Sequence, residues 1–339
     1  GRVDDDVEVL GDLAGGAVTS LRLSLEDVAD AGDEYDFSPL PGDTPVVRGL
    51  DFSNAQAECD GLVGELTLSG SMRIPAGLSP ARRGPRGESE LPFTAPLRLE
   101  AAEPYVRLRL GCENGARDHR LRLVAESDIA SGSVFVEGHF DVLERPLVTP
   151  TREDWFQKPS GSDHQRRFTA VEDGGRGLAR FNAGLPEYAS MQGANGTRLQ
   201  VTLLRSVGWL SRNDLLSRPQ GAGPALPAPG AQCLGDHGFE LALMPYAGGW
   251  DDAGVPAATE RFTLRPFAEA TLDAEDSDPL LQLPDGLLLS ALKKADATRQ
   301  VLLRLWNPNR SRVEGTLLLG RQPETVHLGD LDELPRSQI

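Results

Sequence analysis

Short apolar–polar alternations closed by Gly, Pro, Asn or Asp recur along the whole chain, while long stretches with a helical repeat are nearly absent. A segment whose apolar residues fall at every second position can bury one face only as a strand. Examples are VTSLRLSLEDV (18–28), GLVGELTLSGSMRI (61–74), APLRLEAAEPYVRLRLGC (95–112) and HRLRLVAE (119–126). SVFVEGHFDVLER (133–145), TRLQVTLLR (197–205), GFELALMPY (238–246) and ATERFTLRPF (258–267) continue the series. So many strands with so few helices predict an all-β protein built as a large antiparallel β-sandwich. The same alternation puts Arg107, Arg109, Arg120 and Arg122 on one face, where solvated side chains are expected.

After Phe267 the composition turns to an acidic run, AEATLDAEDSDP. A short second β-unit follows in GLLLSALKKA, QVLLRLWNPNRSRVEGTLLLG and ETVHLGDLDEL. The expected division is a main β-domain over 1–272 and a small C-terminal β-extension over 273–339. At 339 residues the chain can bury a sizeable core. It opens abruptly on GRVDDDVEVLGD, already strand-like, and reads as a piece of something longer.

The formal net charge of −17, from 34 Lys+Arg against 51 Asp+Glu, excludes the basic face that nucleic acid or an anionic membrane requires. Cys59, Cys112 and Cys233 are odd in number and widely spaced, with no CxxC or Cys/His ligand pattern. A disulfide framework and a cysteine zinc site are therefore both disfavoured, and a reducing, cytoplasmic home is expected. No apolar run approaches a membrane span, and Asn195-Gly196-Thr197 reads as a turn.

Two stretches gather chemistry. EDVADAGDEYDFSPLPGD (26–43) crowds carboxylates, among them Asp27, Asp30, Asp33, Glu34 and Asp36, around Tyr35 and Phe37. Aromatics beside carboxylates suit the apolar and hydroxyl faces of a sugar, although acidic loops are more often simply solvated. The second stretch, Leu199 to Gln232, begins as a strand and then sets down Arg205, Trp209, Arg212, Asp214 and Arg218 before a Pro/Gly-rich run. Arginine can clamp a carboxylate or neighbouring hydroxyls bidentately. The same residues would serve equally as an internal Arg–Asp pair beneath a long loop, and spacing alone does not separate the two. LSPARRGPRGESELP (78–92) reads as an exposed basic hairpin tip. The five histidines form no H-x-H, H-x-D or HExxH spacing, and no GxSxG elbow or P-loop occurs, so no metal site is expected within the chain.

TLLRSVGWLSRNDLLSRPQGAGP, with EDVADAGDEYDFSP, NGARDHRLRL, FNAGLPEY and VLLRLWNPN, resembles the C-terminal β-region of α-mannosidases of glycoside hydrolase family 38. The similarity is greatest to the bacterial branch, which includes mannosylglycerate hydrolases. It implies a β-supersandwich of the galactose-mutarotase-like kind. It also implies a parent enzyme that is a retaining, zinc-dependent α-mannosidase, with the nucleophile and zinc ligands on an N-terminal catalytic domain that this sequence lacks. The chain alone is then expected to be inactive and to hold no cofactor, zinc belonging to the parent. Its expected partners are the missing catalytic domain and an α-mannoside; homo-oligomerisation is left open. By positional match, Tyr35 and Arg205 lie near the bound mannose. Asp214 and Arg212 orient Arg205 or meet the next sugar, and Asp33 and Asp36 edge the pocket.

Two other functions fit an all-β chain of this kind. One is a free-standing carbohydrate-binding module. The other is an aldose-epimerase-like enzyme, which needs a His/Glu acid–base pair on a concave sheet face, with His119 and His139 as candidates and no pairing readable from the sequence.

Overall fold

The computed structural model describes residues 20–338 apart from 53–54, 149, 153, 156, 158, 265, 268–278 and 297. The strand-like opening residues 1–19, most of the acidic run and the 272/273 boundary lie outside the described residues. The chain divides into two compact units, Gly1–Thr263 and Leu264–Ile339.

In the larger unit the strands run β1 (Leu21–Ala29), β2 (Val46–Gly49), β3 (Gln56–Cys59), β4 (Val63–Ile74), β5 (Gly77–Leu78) and β6 (Pro85–Arg86). There follow β7 (Ser89–Glu100), β8 (Val106–Asn114), β9 (His119–Ser127), β10 (Ser133–Glu137), β11 (Val142–Pro146) and β12 (Asp163–His164). The series closes with β13 (Phe168–Glu172), β14 (Arg176–Asn182), β15 (Glu187–Gln192), β16 (Thr197–Ser206) and β17 (Gly235–Ala247). A six-stranded sheet has the order β12-β15-β16-β9-β1-β2, and a nine-stranded sheet the order β11-β10-β13-β14-β17-β8-β7-β4-β3. Every named pairing is antiparallel, as the sequence pattern requires.

Alternation explains the sandwich residue by residue. On β7, Leu91, Phe93, Ala95 and Leu97 are buried while Glu90, Pro92, Thr94 and Arg98 face out. They meet Leu25, Leu121, Leu123, Leu199 and Val201 of the six-stranded sheet in one apolar core. Each such fully buried aliphatic side chain contributes roughly 1.5–3 kcal/mol. The nine-stranded sheet buries its other face as well. There Phe135, Phe168, Phe181, Met244 and Tyr246 pack with Trp250, Val255, Ala258 and Phe262.

Val255, Ala258 and Phe262 belong to a helix, α1 (Val255–Thr263), where the sequence pattern over 258–267 had suggested a strand. The apolar set in fact recurs at the i, i+3, i+7 spacing of a helix, and Pro256 falls in its first turn, where a missing N–H is tolerated. A second correction concerns the arginines. Arg109 keeps a side-chain exposure of 69%, but Arg120 keeps only 4% and Arg122 only 12%. Arg122 pairs with Glu26, and Arg120 donates to Glu187 and stacks on Phe37, so the outer face of the six-stranded sheet is ionic without being solvated.

Among its described residues the smaller unit has three two-stranded pairings: β18 (Leu281–Gln282) with β21 (Leu318–Leu319), β19 (Leu288–Lys294) with β20 (Val301–Trp306), and β22 (His327–Gly329) with β23 (Pro335–Gln338). Leu288 and Ala295 supply its buried apolar positions, and Lys293 bridges Asp296 and Glu333.

Candidate functional site

The two stretches that gather chemistry in the sequence meet in space. β1 ends at Ala29 and releases the loop 30–38, while β16 ends at Ser206 and releases the loop 207–228. The strands themselves are separated by β9, which pairs with both.

A β-bulge decides which way Arg205 faces. Up to Thr202, the odd residues of β16 point into the core, Leu199 and Val201 among them. The register with β9 then slips between Thr202 and Leu204, so that Leu203 is the extra residue. After the slip Arg205 stands opposite Arg120, on the outer face, and Ser206 opposite His119. A one-residue slip inverts every later side chain, which here carries a guanidinium out of the core.

Arg205 is then held at two of its nitrogens. Nε donates to Asp30 Oδ2 at 2.7 Å, and Nη2 donates to the carbonyls of Asp33 (2.6 Å) and Asp36 (2.8 Å). Its Nη1 has no partner among the described residues, and the side chain keeps 19% exposure. Asp30 is completely buried, and its Oδ1 accepts the amides of Gly32 and Ser38. Gly32 is demanded by this packing, since a Cβ there would lie 2.0 Å from the Asp36 carbonyl oxygen.

Asp33, also completely buried, organises the loop tip. Oδ1 accepts the amides of Tyr35 and Asp36, and Oδ2 accepts the Arg212 amide at 2.7 Å and Arg218 Nη2 at 2.5 Å. Asp36 accepts Arg218 Nε at 2.5 Å on Oδ2 and Gln157 Nε2 at 2.8 Å on Oδ1. Arg212 lies over the Trp209 ring at 4.8 Å and holds Asp214 bidentately, both contacts at 2.7 Å. That fork keeps the Asp214 carboxyl below its ordinary range. Tyr35 is 55% exposed; its ring lies 5.9 Å from the Arg218 guanidinium carbon, and its hydroxyl has no partner among the described residues.

Tyr35, Asp33, Asp36, Arg205, Arg212 and Asp214 therefore form one cluster. Asp33 and Asp36 are bound inward by arginines and amides rather than turned to the edge of a pocket; among these six residues the outward groups without partners are Arg205 Nη1, Arg212 Nη1 and the Tyr35 hydroxyl, and the neighbouring Glu34 is exposed beside them. The carboxylate oxygens of Asp30, Asp33 and Asp36 are all engaged, so they do not fit a metal ion, and no metal-holding group of His, Cys, Asp or Glu occurs among the described residues. Phe37 is buried under Arg120, whose guanidinium carbon lies 3.5 Å from the ring centroid, and is not offered to a ligand. Burial moves Arg120 down to about 10.

Several members of the site escape sequence reasoning. Arg82, on the hairpin tip read as an exposed turn, donates to the Gly32 carbonyl at 3.1 Å and to Asp118 at 3.3 Å. Gln157, Asp118 and Gln232 also brace the loops, and nothing in their local sequence marks them. Arg218 sits in a Pro/Gly-rich run but is the most enclosed arginine of the cluster, with 7% side-chain exposure. His119 is buried with Nδ1 2.5 Å from Asp27 and Nε2 3.1 Å from Asn114, so neither nitrogen is available to a sugar. His139 stacks on His164 at 6.0 Å.

No family model matches the chain. Among curated proteins it is similar to a Halalkalibacterium halodurans protein provisionally named a mannosylglycerate hydrolase, with 27% identity over 87% of this chain and 33% of that protein. It is also similar to alpha-mannosidase 2C1 of Homo sapiens, with 26% identity over 70% of this chain and 21% of the relative. Two solved structures share its fold over 94% of its length: a glycosyl hydrolase family 38 protein from Enterococcus faecalis (TM-score 0.75, 21% identity, 38% of that chain) and an α-mannosidase from Enterococcus faecalis V583 (TM-score 0.77, 22% identity, 36% of that chain). The chain thus spans about a third or less of the curated relatives it matches.

Fold and relatives together make it similar to part of known glycoside hydrolases. More narrowly, it matches part of the family 38 α-mannosidases, consistent with their C-terminal β-region, which bears out the resemblance read from the sequence.

Proposed function

We propose that this chain completes one side of the sugar pocket of a retaining, zinc-dependent α-mannosidase-like glycoside hydrolase and supports that enzyme's catalytic domain. In this reading the parent enzyme cleaves α-mannosides by double displacement, with the nucleophile and zinc supplied from outside this chain. The carboxylates of Asp30, Asp33, Asp36 and Asp214 are all held by arginines or amides and are not free to act as nucleophile or metal ligand, and in this reading the chain by itself is inactive.

The observation that carries the reading is the orientation of Arg205. Two of its nitrogens are fixed by a buried carboxylate and two carbonyls, which leaves Nη1 outward on the same loop assembly as the exposed Tyr35. A preorganised donor set of this kind suits the acceptor oxygens of a sugar better than it suits a cation. Because Arg212 is folded onto Asp214 and Trp209, its remaining donor belongs to a neighbouring subsite.

The test is an aryl α-mannoside assay of the full-length protein, with and without chelator, alongside the isolated chain. Activity in the isolated chain, or full-length activity indifferent to chelation, overturns the proposal. Loss of activity on chelation together with a raised KM in Arg205→Lys and Tyr35→Phe supports it.

A further inference from the structure

The two groups offered to the sugar, Tyr35 and Arg205, come from different elements, and a third side chain fixes both. Resting on the sugar-pocket reading above, we infer that Arg218 is the positioning residue of the site. Its guanidinium lies 5.9 Å from the Tyr35 ring and donates to Asp33 and Asp36, so it reaches Arg205 through the loop 33–36.

Arg218 has no unused nitrogen. Nε donates to Asp36 at 2.5 Å, Nη2 to Asp33 at 2.5 Å, and Nη1 to the Gln220 carbonyl at 2.9 Å. It thereby binds the Pro/Gly-rich loop to the acidic loop. Asp33, gripped from one side by Arg218, hangs the backbone of Tyr35 and Asp36 from its other oxygen. The carbonyls of Asp33 and Asp36 are the acceptors that orient Arg205 Nη2. A single guanidinium therefore sets the backbone that carries Tyr35 and the carbonyls that aim Arg205. Arginine suits this place because a planar fork reaches two carboxylates and a carbonyl at once, whereas a lysine ammonium is a point charge that cannot hold the same geometry.

The test compares KM, kcat and unfolding temperature of the full-length protein with an aryl α-mannoside. The variants are Arg218→Lys, Tyr35→Ala, Arg205→Lys and the double variant R218K/Y35A. R218K is expected to raise KM about tenfold while kcat stays within about twofold, and the factor should shrink at least about threefold in the Tyr35→Ala background, because the two changes act on one unit. A KM that R218K leaves unchanged, or raises by the same factor in both backgrounds, overturns the inference. So does a lowered unfolding temperature with an unchanged KM. Should R218K not fold, Asp36→Leu removes the Nε contact, together with that of Gln157; a KM rise of about threefold supports the inference and an unchanged KM overturns it. If Tyr35→Ala and Arg205→Lys themselves leave KM unchanged, the sugar-pocket reading falls; if they raise it and R218K does not, only the role of Arg218 falls.

Discussion

Arg205 and Asp30 stand 175 residues apart in the chain, yet Arg205 Nε donates to Asp30 Oδ2 at 2.7 Å. Asp30 has no exposure at all. Removing one partner of a buried pair leaves a charge without compensation, which costs about 3–5 kcal/mol. Asp30→Ala and Arg205→Met are each expected to lower stability on that scale, and the double variant by less than their sum, in calorimetric or denaturant unfolding. A loss below about 1 kcal/mol in either single variant would show that the pair is not the anchor described here.

Gly32 lies against the same loop. A Cβ there meets the Asp36 carbonyl oxygen at 2.0 Å and Asp30 Oδ1 at 2.6 Å, whereas Gly49 has open space around it. Gly32→Ala should therefore cost at least about 2 kcal/mol, and Gly49→Ala less than about 1 kcal/mol. Equal effects of the two would sink the packing argument.

Asp214 tests the opposite limit, an exposed pair. Its folded carboxyl is held below the ordinary value of 3.8, first by hydrogen bonds from Arg212. A depressed folded value means that the pair's contribution is present above that ordinary value and is lost as pH falls through the folded one. With Asp214 57% exposed, screening keeps the contribution under about 1 kcal/mol. Asp214→Asn is expected to shift unfolding slightly at pH 7 and not at all at the acid end of the titration, as followed by unfolding at stepped pH.

The cysteines should separate by reactivity. Cys59 is exposed on β3, an edge strand, while Cys112 is buried on β8 and burial pushes its thiol up to about 11. A thiol reagent at pH 8 is expected to label Cys59 readily and to reach Cys112 only after denaturant is added. Peptide mapping of the labelled protein reads this directly, and early labelling of Cys112 would contradict its place in the core.

Inserting one alanine between Leu204 and Arg205 would shift the later residues of β16 by one place and turn Arg205 into the core. An unpaired guanidinium in that place cannot be accommodated, so the insertion is expected to abolish cooperative unfolding. An insertion variant that folds and binds sugar normally would show that the strand register does not aim Arg205.

Much of this was legible in the residues, because period-two alternation is a local property. Leu91, Phe93, Ala95 and Leu97 announce their face of β7 without reference to any other strand. The same rule failed for Val255, Ala258 and Phe262, whose few apolar positions admit two periods, and only packing against the nine-stranded sheet favours the helix. It failed again for Arg120, since alternation predicts the face but not whether other chain segments cover it.

By itself, the sequence determined the all-β architecture, the acidic loop, the arginine-bearing strand and the likeness to family 38. Tertiary structure alone decided how those parts combine. It placed the bulge that turns Arg205 outward, brought Arg218 onto Asp33 and Asp36, and enlisted Arg82 from a hairpin that looked merely exposed. The physical reason lies in range: strand periodicity is written in adjacent residues, whereas a buried charge is matched by whichever partner the closed sandwich delivers, here from more than a hundred residues away.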